Sequence, residues 1–208
     1  MFRVNDIFYS LQGEGYFTGT PAVFVRFSGC NLHCDFCDTD FSAFEQMTAQ
    51  QIYNKAQTLL EKHGIKCPPK TKPKDIIYIP RLHALRTPIC VLTGGEPSLQ
   101  VNKRLIDKLH ELFDFITIET NGTNPVPDEI DWVTCSPKTM TNLRIQHVDE
   151  LKMVYTGQNV ELFYNHFHAQ YNYLQPCSQK NTNEVVEYIK KHPWWDLSLQ
   201  THKMINIR

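Results

Sequence analysis

No stretch of this chain strings together the roughly 18 apolar residues that a membrane-crossing helix needs. The opening MFRVNDIFYS lacks the basic, apolar and small-residue zones of a secretory signal. Both absences predict a cytoplasmic protein with no membrane partner. An excess of charge is missing too. The 21 Lys and Arg and 22 Asp and Glu leave a formal charge of -1, so no global field draws the chain to nucleic acid. Internal repeats, low-complexity tracts and a second domain are also lacking. What remains is a globular composition, 41% hydrophobic and 12% aromatic over 208 residues. That length suits one domain burying roughly 70% of its unfolded surface.

A last absence is the most informative. GCNLHCDFCDTD (residues 29–40) gathers Cys30, Cys34 and Cys37, yet the next cysteine, Cys67, comes about thirty residues later. The total of seven is odd, and a reducing compartment disfavours disulfides. The scattered Cys67, Cys90, Cys135 and Cys177 read as small buried hydrophobes. Three chemistries fit the cluster. A structural zinc site wants four protein ligands, with His33 or a distant cysteine completing the set. A redox pair at Cys34 and Cys37 leaves Cys30 without a role. A 4Fe–4S cube on three thiolates leaves one iron open to a non-protein ligand, as suits a cluster acting on a bound small molecule.

Strand and helix signals succeed one another along the rest of the chain. PAVFVRFSG (21–29) is a β-branched and aromatic strand entering the cysteine loop. TAQQIYNKAQTLLEKHG starts a helix at Thr48, with Gln51 completing a capping pattern, and stops it at Gly64. KCPPKTKPKD (66–75) has too many prolines for regular structure and reads as a surface loop. Strands then follow at ICVLTGG, FITIETNG, DWVTCSP, ELKMVY, YNYLQP and WDLSLQT, with helices at VNKRLIDKLHELF, NVELFYNHF and NEVVEYIKKH. This alternation implies a parallel sheet with crossover helices, open or curled into a partial barrel. In either form the working residues belong at strand C-terminal ends. TGGEP, ETNG, CSPK, QPC and LQTHK all fall there, which argues for one shared site.

C-x3-C-x2-C, with Phe36 before the last cysteine, resembles the signature of the radical S-adenosylmethionine enzymes. Gly94, Gly95 and Glu96 in TGGEP resemble the family's glycine-rich motif for the amino end of the cofactor; alone they read as a tight turn. SLQGEG, VRFSGCNLxCxxCDT, TGGEP, ETNG, SPK, LQP and SLQTHK together resemble the 7-carboxy-7-deazaguanine synthase family in its short-spacer form. Residues 45–87 are unmatched. GCNLxCxxC is shared with the activating enzymes of glycyl-radical proteins, the rival enzyme reading. A zinc-bearing binding module is the rival from another class. The resemblance implies an α/β fold, a single radical S-adenosylmethionine domain over 1–208 forming an incomplete TIM-type barrel with parallel strands and crossover helices. Residues of about 65–87 would be a surface insertion. It further implies a lyase converting 6-carboxy-5,6,7,8-tetrahydropterin to 7-carboxy-7-deazaguanine with release of ammonia, for queuosine or other 7-deazapurines. A 4Fe–4S cluster, S-adenosylmethionine and Mg²⁺ would be its cofactors, a flavodoxin-like protein its electron donor, and a homodimer its assembly.

Carried over residue by residue, Cys30, Cys34 and Cys37 would hold the cluster, and the Thr39 hydroxyl would hold Mg²⁺. Phe36, Cys37, Asp38, Gly94, Gly95, Glu96 and Glu119 would meet S-adenosylmethionine. Ser136, Pro137 and Lys138, with Gln175, Pro176, Cys177 and Ser178, would line its adenosine side. Leu11, Gln12, Gly13 and Glu14 would run along the pterin edge, where an amide, backbone groups and a carboxylate match an aminopyrimidinone. Arg26, alone in an apolar strand, must be paired, either with the substrate carboxylate or with a neighbouring acid. Thr93 and His202 would also touch substrate, and Arg208 would reach it through its main-chain carboxylate. HPWWDL would supply core and a dimer contact.

Overall fold

The computed structural model of the chain describes residues 1–37, 40, 42–65 and 87–208. Asp38, Thr39, Cys67, the loop at 66–75 and nearly all of the expected insertion at 65–87 lie outside the described residues. The strands are β1 (Phe2–Leu11), β2 (Pro21–Phe27), β3 (Glu45–Met47), β4 (Ile89–Gly94), β5 (Ile116–Thr120), β6 (Trp132–Cys135), β7 (His147–Tyr155), β8 (His168–Pro176) and β9 (Asp196–Leu197). They form one sheet in the order β3-β1-β2-β4-β5-β6-β7-β8-β9. From β2 to β9 every pairing is parallel. The helices α1 (Ala49–Lys62), α2 (Lys103–Leu109), α3 (Glu161–His166) and α4 (Thr182–Lys191) lie on four of the connections, and α5 (Thr201–Met204) follows the sheet.

Two features depart from the expected pattern. β1 is a long strand that sequence patterning does not mark, and it pairs antiparallel with both β2 and β3, so the sheet is mixed. Its register shifts between Val4 and Asp6, which breaks the period-two alternation that would have revealed it. The strand expected over WDLSLQT is reduced to β9, and α5 begins at Thr201. There the Ser198 N–H makes a last backbone bond to the Leu174 carbonyl, and the buried Ser198 and Gln200 side chains are held by Gln175 and Glu14.

Alternation of side chains across the parallel strands builds two layers of core. On one face Val23, Val25, Phe27, Cys90, Leu92, Ile116 and Ile118 pack beneath α1 and α2. On the other, Ala22, Phe24, Ile89, Val91 and Trp132 fill the concave interior with Phe8 and Phe17. α1 is set by its ends: the Thr48 hydroxyl accepts from the Gln51 N–H and the Gln51 side chain accepts from the Thr48 N–H, as the sequence pattern predicts. Cys90 and Cys135 are fully buried, while Cys177 is half-exposed, so the reading of it as a core hydrophobe does not hold. Trp195 is core, as expected of HPWWDL, and Trp194 is exposed.

The outer strands β3 and β9 do not pair, so the barrel is incomplete. The rolled sheet is laced across its seam by the loop after β1 and the segment after β9. The Gly15 N–H donates to Ser198 Oγ at 2.9 Å, and the Thr201 N–H donates to the Gly13 carbonyl at 2.9 Å. Among the described residues no helix is long and apolar enough to cross a membrane.

Candidate active site

One cavity of about 600 Å³ occupies the concave side of the sheet. It is of a size that takes a small-molecule ligand with its cofactor. Its walls come from the C-terminal halves of the parallel strands, the loop after β1 and the C-terminal tail. The sequence-predicted residues converge on it. Cys30, Cys34, Phe36 and Cys37 form one wall; Thr93, Gly94, Gly95 and Glu96 end β4; Glu119 ends β5. Ser136 and Lys138 follow β6, and Gln175, Pro176, Cys177 and Ser178 close β8. Leu11, Gln12, Gly13, Glu14, Arg26, His202 and Arg208 complete the opposite side. Pro137 is the exception among the described residues: it is buried and does not line the cavity.

The cysteine loop leaves β2 and is pinned by the turn after β4. The Gly95 N–H donates to the Phe27 carbonyl at 3.0 Å and the Glu96 N–H to the Gly29 carbonyl at 2.9 Å. Side chains would prevent that approach. A Cβ on Gly94, whose φ is +126°, would fall 2.2 Å from the Phe27 carbonyl oxygen, and one on Gly95 2.1 Å from that of Gly29. Glu96 is nearly inaccessible, and its carboxylate accepts from the Ser98 N–H and hydroxyl, the Thr120 hydroxyl and the Asn121 N–H. It therefore staples the β4 turn to the β5 turn, and from Gly94 to Glu96 it is the backbone that is left to offer hydrogen bonds to a ligand. Within the cysteine loop the Leu32 N–H donates to Cys30 Sγ at 3.4 Å, and the Cys37 N–H to the Cys34 carbonyl at 3.0 Å. Three half-buried or exposed thiols beside an open cavity, one already accepting a backbone N–H, fit a cluster with one iron left for a ligand. Burial drives the Cys90 and Cys135 thiols far up, so neither competes for metal.

The far side of the cavity is a chain of polar contacts. Gln12 donates to Glu119 Oε1 at 3.1 Å, and Thr93 donates to Glu119 Oε2 at 2.8 Å. Gln200 donates to Glu14 Oε1 at 2.9 Å. Between the two carboxylates stands Lys152, its Nζ 2.7 Å from Glu14 Oε2 and 3.3 Å from Glu119 Oε1. Burial by itself raises the Glu14 pKa, but the Lys152 charge and hydrogen bonds from Lys152, Gln200 and Gln175 outweigh it and bring it down to about 2. Burial likewise works against the Lys152 ammonium, and Glu119, Glu14 and Glu150 more than offset it, holding the charge above the ordinary lysine range.

Arg26 answers the question its sequence position raised. Its guanidinium lies 5.3 Å from the centre of the Phe8 ring, with no acidic partner among the described residues. The expected alternative, a structural salt bridge, is thus not made there, and a cation faces the cavity. The tail is tied down. Ser10 donates to the Arg208 main-chain oxygen, the Arg208 guanidinium pairs with Asp6, and the Ile207 N–H donates to the His202 carbonyl at 3.0 Å. Lys152 and Glu150 are the functional candidates the sequence reading missed. Both stand on the inward face of β7, alternating with the buried Leu151 and Met153. The one signal available was the rule that flagged Arg26, a charge within an apolar strand, which ELKMVY also meets.

The model of the radical S-adenosylmethionine superfamily matches residues 24–192. That removes the zinc-bearing module and the simple thiol redox pair. The 7-carboxy-7-deazaguanine synthase of Bacteroides thetaiotaomicron is 49% identical over 208 residues, covering 100% of both chains. The protein of that name from Burkholderia multivorans is 37% identical, over 99% of both. Among solved structures, QueE from Escherichia coli superposes with a TM-score of 0.67 at 25% identity, covering 95% of this chain and 93% of its own. Identity of this size over the whole length of both chains goes far beyond a shared cysteine loop: the chain belongs to the 7-carboxy-7-deazaguanine synthase family of the radical S-adenosylmethionine superfamily.

Proposed function

We propose that this chain converts 6-carboxy-5,6,7,8-tetrahydropterin to 7-carboxy-7-deazaguanine, in the route to queuosine or another 7-deazapurine. The overall change is redox-neutral: the pterin loses the elements of ammonia. One observation carries the reading. The three-cysteine wall shares a single cavity with Arg26, which has no acidic partner among the described residues, and a row of hydrogen-bonding groups, Gln12, Glu14, Glu119 and Thr93. Cys30, Cys34 and Cys37 would hold the cluster, and the backbone of Gly94 and Gly95 and the residues after β6 and β8 would hold S-adenosylmethionine. When bound, these two groups supply hydrogen-atom abstraction from a substrate carbon. Everything else falls to the protein. Arg26 offers a two-pronged bond to the substrate carboxylate. Gln12 and Glu14 face the donor edge of the pterin, and His202 and the Arg208 main-chain carboxylate close over it. Such positioning keeps a reactive ring in register while its bonds rearrange.

Mg²⁺ held by Thr39, a flavodoxin-like electron donor, a homodimer and a cytoplasmic location complete the proposal, with residues 1–208 acting as a single core domain and about 65–87 as a surface insertion. Family resemblance supports these. The test is anaerobic incubation of cluster-reconstituted protein with S-adenosylmethionine, Mg²⁺, reductant and the carboxytetrahydropterin. Appearance of the deazaguanine absorbance with release of ammonia is expected. Consumption of S-adenosylmethionine without loss of pterin would overturn the substrate assignment, and Ala at Cys30, Cys34 or Cys37 should abolish the brown chromophore.

A further inference from the structure

Lys152 is 4% exposed, yet it lies on the wall of the cavity, on β7, between carboxylates that come from two distant parts of the chain. Glu14 arrives on the loop after β1 and Glu119 on β5, and Lys152 bonds both. A buried ammonium is costly unless ion pairs and hydrogen bonds offset its lost hydration. Here it has at least two strong partners, and its like-charged neighbour Lys138 stands on the same cavity. Both carboxylates keep a second set of contacts, Gln200 on Glu14 and Thr93 with Gln12 on Glu119. The ammonium therefore joins the pterin-facing loop to the cofactor-facing strand, alongside the Gln12–Glu119 hydrogen bond.

We propose that Lys152 is a positioning residue that holds Glu14 as a fixed carboxylate acceptor for the N–H edge of the pterin and sets it in register with Glu119. This rests on the function proposed above. Without the ammonium, Glu14 would be a buried acid whose desolvation is no longer offset, and its proton would come off only at higher pH. The groups facing Lys152 are Glu14 from the loop after β1, Glu119 from β5, Glu150 from β7 and Lys138 from beyond β6. His202 and Lys203 of the tail share the cavity.

The experiment measures affinity of the reconstituted protein for the carboxytetrahydropterin, anaerobically and with the cluster left oxidised so that no turnover occurs. Wild type and Lys152→Met are compared from pH 6 to pH 8.5. Wild-type affinity should contain no step from Glu14 over this range. Lys152→Met should bind at least tenfold more weakly at pH 6.5 and recover as pH rises and Glu14 ionises. Loss by one constant factor at every pH, or no loss, would overturn the proposal. Should Lys152→Met fail to fold, Glu119→Gln/Lys152→Met removes one of the carboxylates left without the ammonium, keeps Glu14, and must show the same pH dependence. Wild-type protein that does not bind the pterin overturns the functional reading; wild type that binds while the variant is unaffected overturns the role of Lys152 alone.

Discussion

Glu150 sits at 2% exposure, two residues before Lys152 on the same face of β7. Its Oε2 accepts from the Thr134 hydroxyl at 3.2 Å and from the Tyr16 N–H, while Oε1 has no partner among the described residues. Desolvation pushes its pKa from 4.5 up to about 7, only partly countered by Lys152. Between those values the unfolded chain has released the proton and the folded chain keeps it. The folded state then binds more protons, so stability falls as pH rises through this window and levels off above it. Glu150→Gln lacks that dependence. Urea unfolding at pH 5 and pH 7.5 should show wild type losing on the order of 2–3 kcal/mol relative to the variant. A gap that does not change with pH would mean that Glu150 is ionised in the folded protein throughout. Glu150 and Lys152 also show where residue-scale legibility ended. Cysteines and glycines announce themselves by spacing, whereas an ion-pair network assembled from β7, β5 and the loop after β1 exists only once the sheet is rolled. The one local sign, charge alternating with apolar residues in ELKMVY, is also what an ordinary half-exposed strand displays.

At the scale of elements, the junction of the β2 and β4 ends makes the cysteine loop what it is. Gly95→Ala would place its Cβ 2.1 Å from a backbone oxygen that has no freedom to rotate away. The turn must move, and the loop from Gly29 to Cys37 moves with it, since both hydrogen bonds between them are lost or stretched. A cost of about 2 kcal/mol or more is expected. The sharper readout is iron bound per chain after reconstitution, which should fall severalfold while the circular dichroism of the sheet persists. Full iron loading would show that the turn is not needed to shape the loop. The elements legible in sequence were those whose signals are local. The capped α1 and the apolar β2 and β4 follow from neighbours within a few residues. β1 was not legible, because its bulge disrupts the alternation and its partners β2 and β3 are fixed only by long-range pairing. β9 was over-read because Leu199 continues the alternation of Trp195 and Leu197 after the ladder has ended.

At the scale of the whole molecule, an incomplete barrel needs something to shut its seam, and here the seam is shut by the parts proposed to touch substrate. Gly13 is where they meet. Its carbonyl accepts from the Thr201 N–H and hydroxyl, and its Cα faces the His202 ring so closely that a Cβ would fall 2.2 Å from Nδ1. Gly13→Ala therefore forces the His202 side chain, and the tail from Thr201 to Arg208 behind it, away from the loop that carries Gln12 and Glu14. The cysteine wall lies across the cavity from this contact. Two consequences should separate cleanly. Iron content and S-adenosylmethionine affinity should stay within about twofold of wild type, while pterin affinity should fall by at least tenfold, the scale of losing one or two ligand hydrogen bonds. The His202→Ala/Gly13→Ala double variant relieves the clash and distinguishes the routes. If it regains affinity beyond Gly13→Ala alone, displacement of the tail was the injury. Equal weakness in both would put the loss in the His202 side chain itself.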